Sequence, residues 1–337
     1  MRMRTFVVAR SEAGQAVGTV VRRRLSLAWA KVLRLFRQRR VRVAGRACLD
    51  VGYRVRAGQR VGVEPPRPHT PQRRSATEKR ARTTHQGPPP VIRFADAHVV
   101  VVDKPADLTT MRHPDEASEF GARGRRFLPP TLADLLPDML ATRRSGQPQV
   151  RAVHRLDRDT SGLVVFARTV EAERHLGRQF RAHTIERRYL AIVRGRAKPG
   201  RIDSRLVRDR GDGRRGSTGE PGAGKHAVTH VAVVEDLGDF TLVECRLETG
   251  RTHQVRIHLG ESGTPLCGER VYDRPLHGRP RPDASGAPRL ALHAASLGFV
   301  HPATGTVMAW QSPLPPELAG MLKRLRKQAR AARPEKS

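Results

Sequence analysis

One short run of this chain concentrates the residue types that chemistry needs. His154-Arg155-Leu156-Asp157-Arg158-Asp159-Thr160-Ser161-Gly162-Leu163 sets carboxylates among cations and then enters the apolar segment Leu163 to Ala167. A polar loop feeding a buried strand is a common seat for a functional side chain. With Arg155 and Arg158 beside it, Asp157 should stay ionised and is a candidate catalytic anion, as nucleophile or base. Asp159, two residues on, is the alternative carboxylate, and an ordinary loop ion pair is the plainer reading of either.

Two further runs follow in order. The first is Arg187-Arg188-Tyr189-Leu190-Ala191-Ile192-Val193-Arg194-Gly195, and the second is Leu247-Glu248-Thr249-Gly250-Arg251-Thr252-His253-Gln254-Val255-Arg256-Ile257-His258. Together with the His154 run they resemble the motifs of the RluA-type pseudouridine synthases, in which the aspartate of H-R-L-D is catalytic. Asp103-Lys104-Pro105 is similar to the family's opening K-P-x-G, with Asp107 standing where the family carries glycine. Leu292-His293-Ala294 and His301-Pro302 also recur there. The resemblance covers about Val91 to Pro315.

That resemblance implies conversion of uridine to pseudouridine in RNA. The bond between uracil N1 and C1′ breaks, the base turns while held, and C5 bonds to C1′. One carboxylate, one tyrosine and several arginines suit such a rearrangement, which needs no cofactor. Asp157 would attack C1′ or take a proton from C2′; only the family motif selects it over Asp159. Arg256 would pair with Asp157 and fix it, and Tyr189 would lie against the uracil face and accept the C5 proton. The target base must leave its stack, and Arg155 would fill the space behind it. Arg158, Arg251, His253 and Lys104 would bind the RNA. An RsuA-type enzyme is disfavoured by His154 and by Thr252-His253-Gln254 after Gly250-Arg251. The rival from another class is a non-catalytic RNA-binding or ribosome-assembly protein that keeps the fold.

The elements that must position these residues are legible in pattern. Val99 to Val102 reads as a buried strand, and Thr169 can cap a helix with Ala172, Leu176 and Phe180 on one face. Alternation marks strands at Tyr189 to Val193, Val228 to Val234 and Phe240 to Leu247, with Gly250 as a turn. Thr252 should cap a helix that begins at His253 and runs to about Glu261, where Gly263 and Pro265 stop it. Arg289 to Val300 adds a strand region, and Met321 to Arg330 a closing helix. The expected fold is α+β: a mixed, mostly antiparallel sheet with flanking helices over residues 91–330.

Upstream, Leu25 to Arg39 reads as a basic amphipathic helix with Trp29, Val32, Leu33 and Phe36 on its apolar face. Short strands follow at Val41 to Val43 and Val61 to Val63, with turns at Gly45 and Gly58. Residues 1–64 resemble an S4 domain, a small α+β RNA-binding module. Residues 65–90, rich in Pro and Arg, read as a linker, and residues 331–337 as a basic tail.

Composition agrees with an RNA substrate. The chain has 337 residues, with 64 Lys and Arg against 32 Asp and Glu, a net charge of +32 and a pI near 11.6. A polyanionic partner follows, and ribosomal RNA of the large subunit is favoured over tRNA because the basic footprint extends beyond one pocket. Aromatic residues at 4% are too few for extended base-stacking platforms. Three scattered cysteines suggest neither a disulfide framework nor zinc, and no apolar run is long enough to span a membrane. A cytoplasmic monomer without metal or cofactor is expected.

Two motifs are decoys. Gly219 to Lys225 has the glycine and lysine spacing of a phosphate loop, but His226 follows where Ser or Thr should hold magnesium, and a strand follows where a helix should begin. His253 and His258 invite a metal reading, yet five residues along a helix is about 140° of rotation, so they do not converge.

Overall fold

The computed structural model describes residues 3–37, 40–48, 51–64, 87–112, 129–141, 149–276 and 278–331. They fall into two units, one from Met1–Arg74, Arg205–Lys225 and Leu276–Gly278, the other from Ser75–Ser204, His226–Pro275 and Arg279–Ser337. Most of the expected linker, through residue 86, and the tail from residue 332 lie outside the described residues.

The first unit contains β1 (Arg4–Val7), α1 (Val17–Arg24), α2 (Trp29–Arg37), β2 (Val41–Val43), β3 (Arg46–Ala47) and β4 (Arg60–Val63). The strands form an antiparallel sheet in the order β1-β4-β2-β3. Gly45 and Gly58 sit at φ 79° and 82°, in the left-handed region their turns require. The helix expected from Leu25 onward starts later, at Trp29, and a further helix, α1, lies upstream of it. Arg23 and Arg24 end α1, and the chain turns through Ser26 at φ 48° before α2 begins at Trp29. The Val-Gly-Thr-Val-Val sequence of α1 has poor helix propensity, but Val17, Val20 and Val21 are fully buried, so tertiary packing decides. Val32, Leu35 and Phe36 of α2 join the same core, while Lys31 and Arg34 remain exposed.

In the second unit the elements run β5 (Val91–Ala95), β6 (Val99–Lys104), α3 (Leu132–Leu140), β7 (Arg151–Ala152), β8 (Ser161–Ala167), α4 (Val170–Arg181), β9 (Glu186–Arg194) and β10 (Gly200–Val207). The end of β10, from Arg205 on, belongs to the first unit, where it pairs with β11 (Gly216–Ser217). Then come β12 (Lys225–Asp236), β13 (Phe240–Leu247), α5 (Gln254–Glu261), β14 (Leu292–Val300), β15 (Val307–Gln311) and α6 (Pro316–Ala331). The strand order is β10-β12-β13-β9-β14-β8-β6-β5, with β15 on β14 and β7 on β8. The pairing of β14 with β8 is parallel, whereas β9, β13 and β12 pair antiparallel. The α+β architecture is therefore as expected.

Every residue of β8 is buried, because both faces of the sheet are covered. Val164 and Phe166 pack with Tyr189 and Leu156 on one side; Leu163, Val165 and Ala167 pack with Ala172 and Leu176 of α4 on the other. Thr169 caps α4 by accepting from the Ala172 amide at 3.1 Å, as its position predicts. Gly162, at φ 114°, lies so close to β14 that a Cβ would stand 2.2 Å from the Ala294 carbonyl oxygen. Only glycine lets β14 pass there, and that passage fixes the end of the Asp157 loop against the middle of the sheet.

Candidate active site

Asp157 sits between β7 and β8 in a loop tied down from three directions. The Thr110 hydroxyl donates to the Leu156 carbonyl at 2.7 Å and accepts from the Leu156 amide at 3.1 Å. The Thr160 amide donates to the Asp157 carbonyl, closing a turn. Lys104, at the end of β6, donates to the carbonyls of Pro105, Leu108 and Arg158 at 2.8, 2.8 and 3.2 Å. Its side chain is 0% exposed, and burial draws its pKa down to about 7 against the pull of Asp157 and Asp159. The expectation that Lys104 binds RNA is thus corrected: it is an internal strut, because three turn carbonyls converge on it where solvent cannot. Asp107 takes φ 62°, so it adopts the left-handed turn that glycine would.

The Asp157 carboxylate opens into a cleft of about 400 Å³, within the range that encloses a small ligand. Tyr189, Arg155, Arg187, Arg251, His253 and Arg256 line the same cleft. Three separate sequence runs therefore converge on one space. Asp159 does not line it, which separates the two candidate carboxylates. Arg158 does not either; it is exposed and paired with Asp107 at 2.6 Å. Arg155 and Arg251 are exposed at the cleft, and the Arg251 Nε donates to the His226 carbonyl.

Arg256 meets Asp157 with Nη1 at 4.0 Å from Oδ2. Its closer partner is one the sequence reading missed: Glu269 accepts from Nε at 2.7 Å and from Nη2 at 2.8 Å. Burial alone would raise the Glu269 pKa, but its bonds with Arg256 and its backbone donors hold it below the usual carboxylate range. Oε1 also accepts from the amides of Arg270, Val271 and Tyr272. Arg256 is thus clamped in a plane, with its third nitrogen toward Asp157 and its guanidinium 5.3 Å from the centre of the Tyr272 ring.

Thr252 does not cap α5. His253 is the N-cap, at φ 61°, and its side chain makes no capping bond. Gln254 takes over from inside the helix: its Oε1 accepts from the Arg251 amide and the Thr249 hydroxyl, and its Nε2 donates to the Val228 carbonyl. The left-handed turn swings His253 into the cleft, with Nδ1 2.6 Å from the Tyr272 hydroxyl and Nε2 3.8 Å from Asp157 Oδ1. His258 points elsewhere, bonding Ser204 and Thr229.

Tyr189 lies on β9 opposite Cys245 and Ala294. It is 7% exposed, and burial raises its pKa while Arg187 opposes and Asp157 adds to the rise, so the phenol stays protonated at neutral pH. His154 is packed on Phe180, ring centres 4.7 Å apart, and its Nε2 accepts from the Val165 amide. Burial, then the nearby Arg187 cation, brings its pKa down to about 3. The imidazole is a neutral support for the loop.

A mostly antiparallel sheet that carries one enclosed carboxylate in a cation-walled cleft is the frame of an enzyme working on an anionic substrate through one acid–base or nucleophilic group. Comparison with known proteins makes that class specific. A family model described as RNA pseudouridylate synthase matches residues 98–261. The ribosomal large subunit pseudouridine synthase D of Nitrosomonas europaea is 40% identical over 242 residues, covering 70% of this chain and 65%, just under two thirds, of that protein. The protein of the same name from Zymomonas mobilis is 38% identical over 252 residues, 72% of this chain and 76% of its own length. The solved structure of human RNA pseudouridylate synthase domain containing 4 shares the fold, with a TM-score of 0.56 at 23% identity over 70% of this chain and 93% of that one. The chain belongs to the RNA pseudouridylate synthase family, isomerases that convert uridine to pseudouridine in RNA.

Proposed function

We propose that this chain isomerises particular uridines of ribosomal RNA, in the large subunit, with Asp157 as the group that acts on the ribose. The observation that carries the reading is the placement of Asp157 beside Arg256 in a cleft also walled by Tyr189, Arg187 and Arg155. A carboxylate facing a guanidinium can attack C1′ or remove the C2′ proton, and either route detaches uracil without redox change. Tyr189 supplies a flat face for the base and a hydroxyl beside it. Arg155, exposed at the cleft, suits the gap left in the stack when the nucleotide swings out.

The choice of ribosomal RNA rests on the names of the two bacterial relatives and on a net charge of +32, which extends attraction to phosphates well beyond one pocket. Residues 1–64 act in this reading as an S4-like RNA-binding module, with Lys31 and Arg34 of α2 facing solvent to meet phosphates. The work is done in the cytoplasm, where ribosomal RNA is.

Pseudouridines are mapped across ribosomal and transfer RNA in cells with and without the gene. The proposal expects loss at one or a few large-subunit positions; loss confined to transfer RNA would overturn the substrate assignment. Charge reversal at Lys31 and Arg34 should weaken binding to long ribosomal RNA fragments and spare turnover of a minimal stem-loop. Equal effects on both would remove the module from the account.

A further inference from the structure

Two buried arginines line the cleft, and only one has an anionic partner. Arg256 is held by Glu269. Arg187 is 6% exposed and forms no ion pair among the described residues. Its Nη2 donates to the Glu248 carbonyl at 3.2 Å, its guanidinium lies 5.4 Å from the centre of the Phe180 ring, and its Nε is buried with no hydrogen-bond partner. Neither of those partners carries charge. A guanidinium stays protonated at any pH at which the enzyme works, so the site holds an uncompensated cation. A buried lone cation in a substrate cleft is a place prepared for an anion.

The neighbourhood narrows the kind of anion. Arg187 and Tyr189 are two apart on β9, so their side chains leave the same face roughly 6–7 Å apart. A ring stacked on Tyr189 would turn its edge toward Arg187. Phosphates of a flipped nucleotide stay near solvent, where the exposed Arg155, Arg181 and Arg251 stand. A flipped base in this cleft would go deepest. Gly250 makes room for this arrangement: a Cβ there would lie 2.6 Å from Arg187 Nη1. Glycine at 250 is therefore a matter of space for the guanidinium.

We propose that Arg187 is a further catalytic residue, a buried cation that hydrogen-bonds the detached uracil and carries its negative charge. The inference rests on the uridine-isomerising reading above. When the N1–C1′ bond breaks, both electrons leave with N1, and the base becomes an anion with charge spread over N1, O2 and O4. Asp157 meets the deficit at C1′ by bonding to it, or takes the C2′ proton. Arg187 donates N–H to a ring carbonyl oxygen as that charge appears. C5 then bonds to C1′ as the Asp157–C1′ bond breaks or, on the other route, as C2′ takes its proton back from Asp157; C5 gives up its proton, N1 takes one from solvent, and the sum is an isomerisation.

The test is single-turnover cleavage of the glycosidic bond in a target RNA carrying uridine or 5-fluorouridine at the reacting position, since fluorine makes the departing base a weaker base that needs less help. Arg187→Gln should slow the uridine substrate by about 10²–10³-fold, the usual cost of one donor to a developing anion, and change RNA affinity by less than about threefold. On 5-fluorouridine the loss should shrink at least about tenfold, and Arg187→Lys should recover part of the rate on uridine. Gly250→Ala keeps Arg187 in the chain but displaces it, so it should show the same dependence on the base and add little to the Arg187→Gln loss. It also serves if Arg187→Gln does not fold. Equal losses on both bases, or a loss of affinity with the rate constant intact as for a phosphate contact, would overturn the proposal. A wild-type enzyme that forms no pseudouridine in any RNA would instead sink the underlying reading.

Discussion

Arg256 gives two of its three guanidinium nitrogens to Glu269, at 2.7 and 2.8 Å, and turns only Nη1 toward Asp157, at 4.0 Å. The residue expected to hold Asp157 is itself held by a carboxylate whose side chain is fully buried. Without Glu269, Arg256 would be free to close on Asp157 as a bidentate pair and mask the oxygens that must reach the ribose.

Glu269→Gln should lower both stability and turnover. Breaking a buried pair from one side costs about 3–5 kcal/mol, because the other charge is left uncompensated. The Glu269 pKa is depressed in the folded state, so its stabilisation is present above the unfolded value of about 4.5 and is lost as pH falls through the folded value. Denaturant titrations from pH 7 to pH 3 should show an acid-dependent loss in wild type that is smaller in the variant. A variant as stable as wild type at pH 7 would contradict the clamp.

His154 should make the fold acid-sensitive over a different window. Its folded pKa of about 3 lies below the unfolded 6.5, so between those values the unfolded chain binds more protons and stability falls as pH drops. The slope approaches about 1.4 kcal/mol per pH unit. In His154→Gln, whose Oε1 can still accept from the Val165 amide, that slope should be gone. A rate profile in wild type that titrates near pH 6.5 and flattens in His154→Gln would contradict the neutral supporting role.

Much of the site could be read from sequence because the signals are local. The Asp157 loop is marked by a polar run entering β8, α4 by its Thr169 cap and β9 by alternation, while the choice of Asp157 over Asp159 and the role of Tyr189 came only from the resemblance to the pseudouridine synthase motifs. What escaped was made by residues that meet only in three dimensions. Glu269 lies in a loop 13 residues past Arg256 with no periodicity to mark it. Lys104 looked like a surface cation until three carbonyls from two turns closed around it. Thr252 looked like a cap because Gln254 satisfies the helix start from the wrong side of the boundary, leaving His253 free to adopt the left-handed turn. α1 was hidden by β-branched residues whose burial outweighs their propensity.

Arg155→Ala should discriminate between RNA structures. The residue is exposed, so folding should be unchanged within about 0.5 kcal/mol. Extruding a stacked uridine costs a few kcal/mol, so turnover of a base-paired target should drop roughly 10- to 100-fold while an unpaired oligonucleotide loses much less. Rates on matched hairpin and linear substrates decide it, and parallel losses would assign Arg155 to phosphate contact instead.

Asp157→Asn tests the role of that carboxylate most directly. Pseudouridine formation in a defined RNA target should fall to background, while RNA affinity by filter binding and thermal stability stay near wild type, since Arg256 keeps Glu269. Residual turnover within tenfold of wild type, or loss of binding in step with loss of activity, would contradict the assignment of that carboxylate to the chemistry.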